Sequence, residues 1–407
     1  MIQKCKKFAV LFSAIIIAVS FPFSASAQTV RRGDADMNGE VDVSDARKTL
    51  RYAVGLDIMT VGAVKICDIN GDGSVDVSDA RAVLRHAVGL EIINGDPLEL
   101  TDEELNPPSE GELLGDLSAY PLPVVPQYEK KPGYFTFVVY GNGHGVGLSQ
   151  YGAVYMAEKG CSYQYILSHY FSGSVICQDE DFPAVSVYCG EEYDTLELLC
   201  RMVAQEIGGI KPPVEALKAQ TVAIFTLLQK YSFNVKGIWD VATICGTSSW
   251  IWTNDWTQNT LIPTVLSVAG QYLAKADDVS RTPIMSVYSS MAAGATVTCS
   301  DIWYESYPVS VKSPFEMTMG NFVSVVQFSA DEIKSKIMKA FPDTVLGDDP
   351  STWIIILSHT ASIDADRGYV TQVLVGDTLL SKAEKLSDRL GLRLRSGCFT
   401  VEYTKWR

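Results

Sequence analysis

The chain has 407 residues, 47% of them apolar and 20% charged, which suits two or three packed domains and excludes a disordered protein. Thirty-three Lys and Arg against 48 Asp and Glu give a net charge of −15. That balance excludes the clustered basic footprint of a nucleic-acid binder and disfavours anionic membrane surfaces as partners.

Lys4, Lys6 and Lys7 precede an apolar run from Phe8 to Val19 and a small-residue Ala25-Ser26-Ala27. This pattern predicts a secretory signal peptide over residues 1–27, cleavage before Gln28 and an extracellular product. The run is short of the ~20 residues that cross a bilayer, and no second such stretch follows, so the protein is expected not to be membrane-embedded. Losing three lysines and no acid takes the charge from −15 to −18. Eight cysteines remain after the signal, with no C-x-x-C pair. An even number in an exported chain permits disulfides, and a chain this large does not require them.

One internal repeat stands out. Asp34-Ala-Asp36-Met-Asn38-Gly39-Glu40-Val41-Asp42-Val43-Ser44-Asp45 recurs 34 residues later as Asp68-Ile-Asn70-Gly-Asp72-Gly73-Ser74-Val75-Asp76-Val77-Ser78-Asp79. Oxygen-bearing side chains stand at loop positions 1, 3, 5, 9 and 12, glycine at 6 makes the turn, and an apolar residue at 8 pins the loop. Such a set of oxygens suits a hard cation. The expected ligands are Asp34, Asp36, Asn38, Glu40, Asp42 and Asp45, and Asp68, Asn70, Asp72, Ser74, Asp76 and Asp79, for two Ca2+ ions. Each loop runs into a helix of about ten residues, with apolar Ala46, Leu50, Ala53 and Val54 matched by Ala80, Leu84, Ala87 and Val88. Neither helix buries its stripe alone, so the copies are expected to pack together.

Residues 33–92 resemble a dockerin, a module that attaches secreted enzymes to a cohesin on a scaffold protein. The resemblance implies that Val43-Ser44 and Val77-Ser78 read the cohesin. It also implies scaffold attachment of the cellulosome type. The dockerin is assigned to residues 28–92. From 93 to 132 the periodicity is lost, and prolines and acids predict an extended tether.

Beyond the tether, an alternating strand from Tyr134 to Tyr140 leads into Gly141-Asn-Gly143-His144-Gly145-Val-Gly147-Leu-Ser149-Gln150-Tyr151-Gly152-Ala153. Alternate glycines let the backbone approach a ligand or another strand closely. Neither G-x-G-x-x-G nor a G-K-[ST] ending fits, so this is no nucleotide loop. Helices are predicted from Ser149 to Glu158 and from Ser162 to Phe171. A further helix, capped by Asp194 and Glu197 and ended by Gly208-Gly209, carries Glu206 in its last turn. Pro213 opens the next helix, with Val214, Leu217, Ile224 and Leu228 on its apolar side.

These two segments together resemble the stage II sporulation protein D / amidase-enhancer LytB (SpoIID/LytB) domain, which carries G-H-G-V-G-M-S-Q-x-G-A and V-V-x-x-E-M-P…E-A-L-K-A-Q-A-V-A-A-R-T. Weaker matches at Tyr288–Gly294, Trp303–Val311 and Leu390–Ser396 extend the likeness over residues 134–407. The resemblance implies a lytic transglycosylase of peptidoglycan glycan strands, with Glu206 as its general acid and His144, Ser149, Gln150 and Tyr151 as substrate contacts. A single raised-pKa carboxyl suffices when the muramic acid's own C6 hydroxyl closes the ring. The sequence departs from the family in three ways. Its G-H-G-V-G segment precedes Glu206 instead of ending the domain, which implies a circular permutation and module ends that lie side by side. Phe225 replaces the arginine of A-A-R-T, and Ile207-Gly208 replaces M-P. Only Cys245 stands where some members bind zinc, and the module's histidines are His144, His169 and His359, so no zinc is expected.

The expected architecture is therefore multi-domain, a small all-α dockerin followed by an α+β SpoIID-like module. Two other functions share the same residues. One is a non-catalytic glycan-binding or amidase-enhancing module, and the other is action on a different polysaccharide. Trp250, Trp252, Trp256 and Trp303 can stack sugars or fill the core.

Overall fold

The computed structural model describes residues 27–54, 60–94, 97–106, 121–186, 192–234, 254–303, 305–360, 367–381 and 384–406. The expected signal peptide, apart from Ala27, lies outside the described residues, as do Cys189, Cys245, Trp250 and Trp252.

The chain opens with β1 (Ala27–Val30), α1 (Val43–Ala53), α2 (Val61–Cys67), α3 (Val77–Ala87), β2 (Leu98–Thr101) and α4 (Asp102–Leu105). Asp42 and Asp76 cap the two duplicated helices, each accepting from the Ser44 or Ser78 N–H, while Asp45 or Asp79 reaches back to close a capping box. The expected apolar stripe is only half inside. Ala46 and Ala80 are buried, but Leu50 and Leu84 are 42% and 43% exposed, and Thr49 and Val83 take the interior places. The cause is the loop: Asp45 and Asp79 turn inward to hold loop N–H groups, and the residue four positions later shares their face.

Two further expectations change here. β2 pairs antiparallel with β1, and Leu100 and Leu105 are buried beside Val30 and Ile66. Residues 98–105 thus belong to the first unit instead of the tether, and that unit is not purely helical. The alternation of Leu98 and Leu100 among acids is too short to mark a strand on its own. The later tether also has contacts, since Val125 and Tyr128 pack on the second module and Lys130 pairs with Glu402 at 2.8 Å.

The second module begins with β3 (Tyr134–Tyr140), β4 (Leu148–Ser149), α5 (Gln150–Glu158), α6 (Tyr163–Tyr170), β5 (Ser174–Gln178), β6 (Val185–Ser186) and β7 (Glu192–Tyr193). It continues with α7 (Thr195–Glu206), α8 (Val214–Lys230), α9 (Ile262–Ser267), β8 (Gln271–Lys275), β9 (Tyr288–Ser289), β10 (Gly294–Ala295) and α10 (Cys299–Ile302). Then follow β11 (Lys312–Ser313), β12 (Val323–Ser329), α11 (Ala330–Ala340), β13 (Ile354–His359), β14 (Val370–Val375), β15 (Thr378–Ser381), α12 (Glu384–Arg389) and β16 (Cys398–Thr404).

β3 is the centre of an antiparallel sheet in the order β12–β3–β16. Alternation divides its residues between two cores. Phe135, Phe137 and Val139 pack with α11 and the β13–β14–β15 sheet, whereas Val138 and Tyr140 pack with Val146, Met291 and Val297. β16 pairs with β3 along its whole length, Thr404 opposite Tyr134, and the Gly133 N–H donates to the Thr404 carbonyl at 2.7 Å. The two ends of the module therefore lie side by side.

The helical half is built on α8, whose Ala216, Ala219 and Ala223 face one core and whose Leu217, Ile224, Phe225 and Leu228 face another. Val214, expected inside, is exposed. The first unit leans on this half. Lys218 donates to the Gly73 carbonyl of the second loop at 2.6 Å, and the Ser74 hydroxyl donates to the Ser267 carbonyl.

Beyond β3 the glycine-rich segment crosses the sheet edge to reach β9. β4 and β9 are parallel, Leu148 opposite Tyr288 and Ser149 opposite Ser289. A Cβ at Gly147, where φ is +74°, would lie 1.9 Å from the Val287 carbonyl oxygen. No side chain is accommodated there without separating the strands. Gly147→Ala is therefore expected to destabilise the module by more than ~3 kcal/mol, combining strain with lost packing, read as a fall in the denaturant midpoint.

Candidate functional site

The site is assembled at one end of α7. Leu198, Leu199, Met202 and Val203 anchor this helix in the core, and Asp194 caps its start by accepting the Glu197 N–H at 2.9 Å. At the other end Ile207 is buried and a tight turn over Gly208–Ile210 stops the helix. Glu206, the last helical residue, is left half-buried at a cavity of about 480 Å³. His144, Leu227, Tyr231, Met285, Val287, Tyr288, Trp303 and Glu305 complete its lining.

Burial pushes the Glu206 carboxyl above its ordinary range, and hydrogen bonds to the side chains of Tyr288 and Gln150 pull it partly back. The described lining contains no Lys or Arg to hold the carboxylate charged. The Gln150 amide also lies 3.5 Å from the Glu206 carbonyl, at the limit of a hydrogen bond. Gln150 and Tyr288 arrive from different parts of the chain, brought together by the β4–β9 pairing.

His144 accepts the Val146 N–H on Nδ1 at 3.0 Å, and the Tyr288 backbone is a second partner of the ring. Burial lowers its pKa to about 4, so the imidazole is neutral at pH 7. Its ring lies 4.7 Å from that of Trp303. A neutral hydrogen-bonding ring, an indole and a carboxyl held above its usual range, with Glu305 also in the lining, make a wall suited to a hydroxyl-rich ligand.

Of the five residues expected in this site, Glu206 and His144 line the cavity and Gln150 backs it. Ser149 does not reach it: the side chain has no exposed surface, and its hydroxyl donates to Glu316 while accepting the Ala292 N–H at 3.1 Å and the Gly152 N–H at 3.4 Å. The sequence cannot distinguish a serine facing a ligand from one facing a buried acid 167 positions away. Tyr151 packs with the sheet-side core rather than in the lining. Tyr288, Trp303 and Glu305 fall in the weaker matches of the sequence, and Trp303 is also among its candidate sugar-stacking residues, while Tyr231 and Met285 carry no signal. Phe225 is fully buried against Phe182 and Phe233, with ring centroids 5.8 and 6.1 Å away, so the side chain that departs from the resembled pattern sits in an aromatic cluster.

In the first loop Asp34, Asp36 and Asp45 present carboxylate oxygens within 4.8 Å of one another. Asn38 and Gly39 donate backbone N–H groups to Asp34, and Gly71, Asp72 and Gly73 donate to Asp68 in the second loop. Val43 and Val77 line one shallow groove of about 370 Å³ with Leu50, Leu84, Arg47 and Arg81. Ser44 and Ser78 are exposed beside them. A larger cleft of about 850 Å³ separates the second loop from the module. It lies away from Glu206 and has none of that site's convergence.

No protein-family model matches the chain. A stretch of 56 residues, 14% of the chain, is 45% identical to the Stage II sporulation protein D of Bacillus amyloliquefaciens and spans 16% of that protein's length. The chain thus contains a SpoIID-like region. No helix among the described residues is long and apolar enough to cross a membrane.

Glu316, which no sequence pattern marked, is fully buried, and burial raises its pKa from 4.5 to about 7. The folded state then binds more protons than the unfolded one. This contribution to stability is complete below pH 4.5 and is lost as pH rises through 7. Over that range the unfolding free energy of the wild type should fall by about 3 kcal/mol relative to Glu316→Gln, measured by chemical denaturation at each pH.

Proposed function

We propose that the second module is a lytic transglycosylase of peptidoglycan glycan strands, with Glu206 as its general acid. The observation that carries this reading is Glu206 itself, a carboxyl raised by burial beside Tyr288 and Gln150 in a cavity with no described cation. The SpoIID-like region gives the cell-wall setting. Protonated Glu206 gives its proton to the glycosidic oxygen as the C1–O bond breaks and oxocarbenium character develops. The C6 hydroxyl of the same muramic residue then attacks C1 and returns its proton to Glu206. The products are a released sugar hydroxyl and a 1,6-anhydro end, with no water consumed. Neutral His144 and Trp303 hold the sugar without adding charge.

We further infer that the module is a circular permutation of the SpoIID arrangement. β16 and β3 form the antiparallel pair that a direct hairpin connection would give, and Thr404 lies against Gly133, where such a connection would run.

The first unit is proposed to be a dockerin binding two Ca2+ ions, held by the twelve loop residues named above. The reading rests on the duplicated loop pattern, whose oxygen spacing suits Ca2+. The ions would neutralise the loops and pin the starts of α1 and α3. The groove bearing Val43 and Val77, with Ser44 and Ser78 beside it, is then the face offered to a cohesin.

Glu206→Gln should lower cleavage by ~10²-fold or more while glycan binding survives. Mass spectrometry of products from intact and peptide-stripped peptidoglycan, with sedimentation for binding, checks this. Anhydro-muramic ends from the wild type alone establish the reaction. Glycan binding without release by the wild type would instead establish a non-catalytic module. For the first unit, chelation should lower helicity and abolish cohesin capture, both restored by Ca2+ and not by Mg2+, as circular dichroism and a pull-down would report.

A further inference from the structure

We infer that Glu316 is the positioning residue of the Glu206 site, fixing β4 against the segment after β9 and thereby setting where Gln150 and Tyr288 meet Glu206. The inference rests on the cleavage reading for its kinetic meaning and on the geometry alone for its structural meaning.

The geometry is a chain of contacts. The Ser149 hydroxyl donates to Glu316 Oε1, and the Ser313 hydroxyl lies 3.1 Å from each Glu316 oxygen. Ser313 is in turn 2.9 Å from the Tyr170 hydroxyl of α6. With its proton directed at Glu316, the Ser149 oxygen is free to accept from Ala292, just after β9, and from Gly152, in the first turn of α5. Glu316 thus orients a hydroxyl that, beside the backbone bonds from Leu148 and Tyr151, ties β4, α5 and the β9 segment together. Gln150 follows Ser149 directly, and Tyr288 precedes its pairing partner Ser289. Gln150 is therefore one residue from the tying hydroxyl, and Tyr288 is one residue before Ser289, the strand partner of Ser149, and four before Ala292, whose N–H that hydroxyl accepts.

Two further observations favour a positional role over simple packing. The fully buried carboxyl is held by hydroxyls and backbone, with no cation among these partners, and an apolar side chain of similar volume would leave the buried Ser149 and Ser313 hydroxyls without this acceptor. Its neighbours also make room for it: a Cβ at Gly152 would lie 1.9 Å from the Tyr170 hydroxyl and 3.0 Å from Glu316 Oε1. Helix α5 approaches the carboxyl with no side chain between them.

The test compares Glu316→Ala, Glu316→Gln, Ser149→Ala and the Ser149→Ala/Glu316→Ala double variant in the full chain, measuring kcat, KM and thermal midpoint on peptide-stripped glycan strands. Glu316→Ala should lower kcat by ~30-fold with KM within about twofold, because the sugar-facing His144 and Trp303 are untouched. Glu316→Gln keeps an acceptor for Ser149 and should restore kcat to within about threefold of wild type. The double variant should be no slower than the slower single one, since both changes break one link. A folded Glu316→Ala variant with wild-type kcat, a Gln variant as impaired as Ala, or losses that multiply in the double variant would each overturn the inference. Should Glu316→Ala fail to fold, Ser149→Ala against Glu316→Gln reads the same link from its other end. If the wild type cleaves nothing, the cleavage reading fails separately, and hydrogen exchange decides the positioning. Amides of 148–152 and 288–292 exchanging faster in Ser149→Ala and as in wild type in Glu316→Gln sustain it, and unchanged exchange in Ser149→Ala overturns it.

Discussion

The close approach of the glycine-rich segment to residues 287–292 is the constraint on which the second module depends. At Gly147 the two backbones are too near for any side chain. That contact permits the parallel β4–β9 pair, and the pair delivers Gln150 and Tyr288 to the end of α7. Glu206 could be supplied by one helix, but its surroundings cannot. They come from segments more than 130 residues apart, made neighbours by a short run of backbone hydrogen bonds.

Low polarity then sets the chemistry. Removing water from Glu206, Glu316 and His144 shifts all three toward their neutral forms. Phe225, packed in an aromatic cluster with Phe182 and Phe233, adds no cation to this half of the module. The outcome is a cavity whose acid retains its proton more readily than an exposed glutamate and whose histidine carries no charge. Such a wall suits proton donation to a neutral acceptor better than binding of an anion.

The first unit shows where periodicity was informative and where it misled. The duplicated loops fixed the helix starts, because the same aspartates that pattern the loops also cap α1 and α3. The apolar stripe misled, because loop hydrogen bonds turned Asp45 and Asp79 inward and rotated Leu50 and Leu84 toward solvent. The strand at 98–101 is not legible in the sequence, because its partner, β1, lies about seventy residues earlier and a four-residue alternation carries little signal alone. Ser149 reads as a ligand contact for a related reason, since the partner the fold gives it is remote in sequence.

By itself the sequence determined the local features: the capped helices, the β3 strand, the two acidic loops, the position of Glu206 in a last helical turn and the glycines that permit close contact. Each follows from side-chain period, capping chemistry or backbone freedom within a dozen residues. The tertiary structure alone decided which residues surround Glu206, that Ser149 serves a buried Glu316, that Lys218 reaches the second loop, and that the module's ends meet at Gly133 and Thr404. Burial and electrostatic shifts depend on what packs across the chain, and no local pattern encodes a neighbour more than a hundred residues away.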